Sequence, residues 1–186
     1  MSETSDIKHE RSQALIDYAY SYAKEAHGTQ KRKYCCSAYI THPLAVARLV
    51  DSVTDDCEMI CAALLHDVIE DTHVTYQSLI DEGFGRGVAD LVLALTDVSN
   101  LSDGNRAVRK QMDLEHLAGA SPNAKTIKLA DLINNTESII KHDPLFAKVY
   151  MKEVSALLLV LGSGNAKLYN RLDRIVADYY EIQKNR

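Results

Sequence analysis

The feature that most constrains this chain is an apolar run that continues, without a turn residue, into a cluster of ionisable side chains. The run Met59–Leu65 is followed at once by His66-Asp67, and Glu70-Asp71 come one helical turn later. Side chains three and four positions apart share a helix face, so a helix through this run stacks the second ionisable pair over the first. Carboxylates that leave water without a partner cost several kcal/mol, so a cation or a strong donor set should lie nearby.

Two interpretations of this stretch are open from its residues alone. A His beside an Asp is typical of a metal site, and an acidic pair one turn later suits proton transfer next to it. Alternatively, the helix simply reaches the surface at His66 and carries solvated charges. Ligands from elsewhere in the chain are needed to favour the metal site.

Composition and pattern predict one all-α domain. The chain has 186 residues, enough for one sizeable core, and only three prolines and eight glycines interrupt it. Apolar residues recur at helical spacing, and no stretch alternates with period two for long enough to predict a strand. We therefore expect a single domain over residues 1–186, built as a helical bundle of roughly eight to ten helices.

Capping residues and prolines set several of the expected helix boundaries. Ser121-Pro122 and Asp143-Pro144 each combine a capping side chain with a proline at the first helical position. The helix that carries the apolar run is expected to begin at Asp55 or Asp56. It should then continue unbroken to about Ile69.

Charge and targeting signals narrow the function classes. The net charge of −5 argues against a broad basic face for nucleic acid, although a metal and a few local cations could still bind a small anion. No apolar run has the length of a membrane span, and the N-terminus lacks the basic-then-apolar order of a signal peptide. We expect a cytoplasmic location and no membrane or nucleic-acid partner. The four cysteines are then reduced thiols.

Two further residues could complete a metal site. Asp131 lies in an otherwise apolar helix and shares a face with Asn135, four positions on. His42 stands at the start of another predicted helix. Taken singly, each has an ordinary explanation, because His42 can cap its helix and Asp131 can pair with Lys128 or Arg109. Together with the His-Asp stretch, they supply the ligand types that a metal site uses.

Taken in chain order, His42, His66-Asp67 and Asp131 resemble the H…HD…D pattern of the HD superfamily of metal-dependent phosphohydrolases. The resemblance is closer still to the hydrolase domain of the RelA/SpoT homologue family and to its single-domain members, the small alarmone hydrolases. It covers about residues 14–140. The matching segments, in family order, are Ala26-His27-Gly28, Gln30–Tyr34, Tyr39–Ala47, Ala62–Thr72, Phe84-Gly85, Val88–Val92, Leu95-Thr96, Asn105-Arg106 and Ile127–Asp131 with Asn135.

The resemblance implies an HD-domain fold, an activity and a set of roles. Such enzymes use one divalent metal, usually Mn²⁺, to hydrolyse the 3′-pyrophosphate of guanosine alarmones, (p)ppGpp, which gives GDP or GTP and pyrophosphate. By position, the metal ligands would be His42, His66, Asp67 and Asp131, the acid/base pair Glu70 and Asp71, and the substrate contacts Arg32, Lys33, Thr96, Arg106 and Asn135. The partner would then be a small-molecule nucleotide. The oligomeric state stays open, with a homodimer as one option.

Two departures from the family pattern leave the substrate open. Relatives commonly carry a Thr-Gly-Glu-Pro-like turn between Tyr34 and Tyr39, where this chain has Cys35-Cys36-Ser37-Ala38. Hydrolases fused to synthetases usually carry an Arg where this chain has Glu137. The alternatives are therefore hydrolysis of (p)ppApp or another nucleotide phosphate, and a non-catalytic nucleotide-binding HD domain.

Overall fold

The computed structural model describes residues 3–185, with side chains from His9 onward. Within that range the chain consists of helices, turns and one isolated antiparallel bridge between Lys31 and Ala38. The all-α prediction is confirmed. The ten α-helices of the described residues also agree with the predicted number.

The helices group into two compact units. The first unit ends at Thr96 and the second begins at Asp97. The expectation of one domain over residues 1–186 stays a prediction. Between residues 3 and 185, none of the helices combines the length and the apolar character needed to cross a lipid bilayer.

The first unit contains six helices. They are α1 Glu3–His27, α2 Thr41–Asp51, α3 Cys57–Leu65, α4 Val68–Asp71, α5 Tyr76–Asp81 and α6 Gly85–Leu95. The short helix α3 is its centre, because every residue from Met59 to Leu65 is buried and α3 packs against α1, α2 and α6. Each large apolar side chain that leaves water contributes about 1.5–3 kcal/mol, so α3 is a main source of stability in this unit.

The predicted unbroken helix to about Ile69 is wrong. α3 ends at Leu65, and α4 begins at Val68. Between them the backbone of Asp67 has φ −97° and ψ −5°, displaced from ideal α-helical values. The sequence pattern could not reveal this break, because Val68 is also buried and continues the apolar run across it. His66 and Asp67 therefore form a corner between two helices.

The start of α2 also differs from the expectation for His42. The residue at the N-cap position is Ile40, and no side chain caps the helix. The hydroxyl of Thr41 donates to the backbone carbonyl of Ala38 at 2.8 Å, and His42 is buried. The imidazole of His42 is therefore available for a role other than capping.

The second unit contains four α-helices and a 3-10 turn. They are the turn Leu101–Asp103, α7 Arg106–Ala118, α8 Pro122–His142, α9 Pro144–Leu158 and α10 Ala166–Lys184. α8 packs against both α9 and α10. Both predicted cap-and-proline starts are confirmed, because Ser121 accepts from the N–H of Ala124 at 3.2 Å and Asp143 accepts from the N–H of Phe146 at 3.1 Å.

We expect Asp56→Ala to destabilise the protein by about 1 kcal/mol, because it removes the cap of α3. The Asp56 carboxylate accepts hydrogen bonds from the backbone N–H groups of Glu58 and Met59, at 2.9 and 3.4 Å. Urea unfolding followed by circular dichroism measures the change. Asp55→Ala is a matched control, since Asp55 is an exposed neighbour outside the cap. An equal loss of stability in both variants would contradict the capping role.

Candidate metal centre

Three of the predicted metal ligands converge at the corner between α3 and α4. His42 comes from the first turn of α2, and His66 and Asp67 form the corner itself. Oδ2 of Asp67 lies 3.1 Å from Nε2 of His66 and 3.5 Å from Nε2 of His42. The candidate ligand atoms of all three residues lie within 4.8 Å of one another. We refer to these three residues as the triad.

The donor set of the triad fits a divalent cation. With metal–ligand distances near 2.1 Å, neighbouring ligand atoms lie about 3 Å apart, close to the 3.1 Å between His66 and Asp67. Nδ1 of His66 lies 2.9 Å from the carbonyl oxygen of Ala63. Because a carbonyl can only accept, Nδ1 carries the proton and Nε2 keeps the lone pair that a metal-ligating imidazole needs. Imidazole nitrogens with a carboxylate oxygen suit a borderline metal.

Tyr39 supports the triad from outside. Its hydroxyl donates to Oδ2 of Asp67 at 2.7 Å, and the centre of its ring lies 5.8 Å from that of His42. Burial, and then the negative charge of Asp67, raise the pKa of Tyr39 well above its usual value, so the phenol stays protonated and donates. Tyr39 had no predicted role. Its place in a matching segment was the one available signal, because its partner lies 28 positions away.

The predicted acid/base pair, Glu70 and Asp71, lies in α4 next to the triad. The backbone N–H of Asp71 donates to the carbonyl of Asp67 at 2.9 Å, which fixes the single helical turn that carries both acids. Both residues are exposed to solvent. Partial burial of the carboxyl group, and then the charge of Asp67, raise the pKa of Asp71, while hydrogen bonding from Tyr39 opposes the rise. The catalytic roles of Glu70 and Asp71 stay predictions.

The loop that carries the predicted substrate contacts Arg32 and Lys33 is closed by backbone hydrogen bonds. The bridge between Lys31 and Ala38 joins its two sides, and the N–H of Arg32 donates to the carbonyl of Ser37 at 2.9 Å. Arg32 is half-buried and Lys33 is exposed. Both cationic side chains are therefore held on one short, closed loop of the first unit.

Asp131 and Asn135 lie on one face of α8 in the second unit, as their spacing predicted. Oδ1 of Asp131 accepts from Nδ2 of Asn135 at 2.6 Å. Its Oδ2 lies 2.9 Å from Nζ of Lys128, and the Asp131 side chain is buried. The ion pair with Lys128 that the sequence allowed is thus present. The assignment of Asp131 to the metal stays a prediction.

The remaining predicted substrate contacts have partners within their own units. Arg106 forms a two-bond ion pair with Glu153 at 2.7 and 2.8 Å, and its guanidinium lies 5.2 Å from the centre of the Phe146 ring. Thr96 is the C-cap residue that follows α6, and its hydroxyl donates to the carbonyl of Val92 at 3.0 Å. Their contacts with substrate stay predictions.

Known proteins are similar to this chain in sequence and in architecture. The HD domain family matches residues 19–158. A Xenopus tropicalis protein named guanosine-3′,5′-bis(diphosphate) 3′-pyrophosphohydrolase MESH1 is 34% identical over 173 residues, covering 89% of this chain and 94% of that protein. An Aquifex aeolicus guanosine-3′,5′-bis(diphosphate) 3′-pyrophosphohydrolase is 39% identical over 124 residues, which are 67% of this chain and 18% of that longer protein. The solved structure of a metazoan orthologue of SpoT that hydrolyses ppGpp gives a TM-score of 0.80 at 30% identity, covering 89% of this chain and 96% of that one.

If the triad holds a divalent metal, we expect Tyr39→Phe to weaken its binding about 10-fold, because losing a hydrogen bond to a ligand typically costs at least that factor in metal affinity. Titration calorimetry with Mn²⁺ measures the change. Tyr76→Phe is the matched control, since the hydroxyl of Tyr76 donates to the carboxylate of Asp90 at 2.8 Å outside the triad. Wild-type Mn²⁺ affinity in Tyr39→Phe would show that the phenol does not support the site.

Proposed function

This chain belongs to the HD domain family, and from that membership we propose that it hydrolyses the 3′-pyrophosphate of guanosine alarmones, (p)ppGpp. The expected products are pyrophosphate and GDP or GTP. The observation that carries the proposal is the convergence of the triad's ligand atoms within 4.8 Å. It occurs in a chain that matches 94% of a relative named for this reaction.

The proposed cofactor is Mn²⁺, on the basis of the family resemblance and the donor set. When bound, the ion would supply charge stabilisation for the pyrophosphoryl oxygens and activation of water. Its proposed ligands are His42, His66, Asp67 and Asp131. The bond from His66 Nδ1 to the backbone and the bond from Tyr39 to Asp67 orient two of these ligands in advance.

Glu70 and Asp71 are proposed to handle the protons of the reaction. One proton must leave the attacking water, and one must reach the ribose 3′-oxygen as its bond to phosphorus breaks. Both acids are exposed on α4, so each can meet water without a change in the helix. The raised pKa of Asp71 favours it as the group that accepts and then returns a proton, with Glu70 orienting the water.

The closed loop that carries Arg32 and Lys33 is proposed to bind the nucleotide. Arg32 can stack on a purine base or hold a phosphate through two hydrogen bonds, and Lys33 adds a second positive charge. The other proposed contacts are Thr96, Arg106 and Asn135. Arg106 would bind a phosphate only by exchanging the carboxylate of Glu153, to which it is already bonded twice.

A second candidate substrate, the adenosine alarmone (p)ppApp, is favoured by the altered turn Cys35–Ala38. This turn lies in the same closed loop as Arg32, where it could change the contacts to the base. Glu137, the other departure, forms an exposed ion pair with Arg171 at 2.7 Å. The departure at Glu137 bears on which phosphorylation pattern is preferred, whereas the base preference is tied to the turn.

The purified chain is expected to release pyrophosphate from ppGpp when Mn²⁺ is present and to lose this activity with EDTA. Reactions with ppApp, GTP and ATP run in parallel, and anion-exchange chromatography resolves the products. Release from ppApp alone would replace the guanosine proposal by the second candidate. Nucleotide binding without turnover would indicate a non-catalytic domain, and neither binding nor turnover would contradict all three.

Asp67→Ala and Glu70→Ala are expected to separate metal binding from catalysis. Asp67→Ala removes a proposed ligand and should abolish Mn²⁺ binding and turnover together. Glu70→Ala should keep Mn²⁺ affinity within about 3-fold while kcat falls about 100-fold or more, as expected for a group that orients the attacking water. Mn²⁺ titration and pyrophosphate release are measured on the same preparations. A fully active Asp67→Ala variant would mean that the ligand assignment is wrong.

A further inference from the structure

The turn after α1 reaches the loop that carries Tyr39. Gly28 adopts φ +51°, the left-handed conformation that commonly follows a helix. The backbone N–H of Gln30 then donates to the carbonyl of His27 at 2.9 Å, and the carbonyl of Gln30 accepts from the N–H of Tyr39 at 3.0 Å. The turn and the start of the segment that supports the triad are therefore joined through their backbones.

Two side-chain hydrogen bonds run from this turn to the acid/base helix. Nε2 of Gln30 donates to the backbone carbonyl of Asp71 at 2.9 Å, and Oε1 of Gln30 lies 2.7 Å from Nδ1 of His27. The carbonyl of Asp71 can only accept, so the amide nitrogen of Gln30 must face it. The amide oxygen must then face His27, whose Nδ1 therefore carries a proton.

The burial of His27 supports the same tautomer. The residue is 3% exposed, and its Nε2 has no hydrogen-bond partner among the described residues. With the proton on Nδ1, this Nε2 carries only a lone pair, so no buried ring N–H lacks an acceptor. The ring lies 4.6 Å from the ring of Tyr39, between centroids. His27 is thus a fixed donor to Gln30, packed against the residue that holds Asp67.

Gln30 supplies a hydrogen-bond donor for the last backbone carbonyl of α4. Asp71 is the last residue of this four-residue helix, and the final carbonyl of a helix has no partner within the helix itself. The Gln30 amide provides that partner from 41 positions away. Because the bond is made to the backbone of Asp71, it fixes the peptide that carries the carboxyl group without occupying the carboxyl group.

We propose that His27 and Gln30 are positioning residues for the hydrolysis proposed above. His27 orients the Gln30 amide, and Gln30 holds the backbone of Asp71 and of Tyr39 beside the triad. Neither residue touches the reacting atoms. The inference rests on the proposed function, because the position of Asp71 affects a rate only if the site turns over a substrate.

Kinetics with matched variants test the positioning role. Gln30→Ala removes both side-chain bonds and is expected to lower kcat about 10- to 100-fold, with KM and Mn²⁺ affinity within about 3-fold. Gln30→Glu should be equally impaired, since it can accept from His27 but cannot donate to Asp71. Asparagine keeps a donor near the position of Nδ1, so His27→Asn should retain more activity than His27→Ala. The control is Gln13→Ala, which removes an exposed 2.9 Å hydrogen bond between Gln13 and Asp17, both on α1.

Nuclear magnetic resonance tests the same bonds without turnover. Two-bond ¹H–¹⁵N spectra should show His27 as the Nδ1–H tautomer in the wild type, and Gln30→Ala should lose that form. Amide exchange of Asp71, whose N–H donates to Asp67, should become about 10-fold faster in Gln30→Ala and stay unchanged in Gln13→Ala.

These measurements distinguish a failure of the positioning inference from a failure of the proposed function. A wild-type Nε2–H tautomer, or a Gln30→Ala variant with unchanged kcat and unchanged Asp71 exchange, would overturn the inference. If the wild type hydrolyses none of the nucleotides but both spectroscopic signatures are present, the failure belongs to the proposed function and not to the positioning of Asp71.

Discussion

The 2.9 Å hydrogen bond between Nδ1 of His66 and the carbonyl of Ala63 is the contact on which the candidate metal centre depends. It connects one candidate ligand, His66, to the backbone of α3, whose residues from Met59 to Leu65 are all buried. Protein cores are packed about as densely as organic crystals, so α3 cannot shift without disturbing α1, α2 and α6. The imidazole of His66 is therefore as fixed as the core itself, and binding a cation requires little ordering of this ligand.

Exposure to solvent increases along the chain from His66 through Asp67 to Asp71. The proposed chemistry needs this order, with sheltered metal ligands and an acid that meets water. The side chain of His66 is 3% exposed and that of Asp67 is 19% exposed, whereas Asp71 lies on the surface of α4. A partly buried carboxylate needs compensation, and Asp67 has the Tyr39 hydroxyl and two imidazoles close by. Asp71 also has Tyr39 as a hydrogen-bond partner. The corner thus places the candidate metal ligands toward the core and the proposed proton-handling acids toward solvent.

The sequence predicted those parts of the fold that depend on residues close to one another along the chain. The caps at Ser121 and Asp143 were predictable, because each bond joins residues three positions apart. The break at His66-Asp67 was not, since apolar periodicity continues through Val68 and carries no information on backbone angles. The three ligands of the triad came from residue type and family resemblance. The long-range contacts that Tyr39 makes to Asp67 and Gln30 makes to Asp71 did not, because bonds across 28 and 41 positions exist only after the helices pack.

The turn at 35–38 departs from the family pattern in its side chains, while its backbone takes the form that a glycine favours. Cys36 stands where the Thr-Gly-Glu-Pro-like pattern has its glycine, and its φ is +53°. The left-handed conformation costs a residue other than glycine about 1–2 kcal/mol, and the backbone bonds between Arg32 and Ser37 and between Cys36 and Arg32 hold it there. Ser37, whose hydroxyl lies 2.9 Å from the Cys35 thiol, stands where the pattern has a carboxylate. Compared with the family pattern, the loop that carries Arg32 therefore has one negative charge fewer, while the backbone of its turn still suits that pattern. A changed base preference would then arise from the side chains of the turn and not from a different path of the loop.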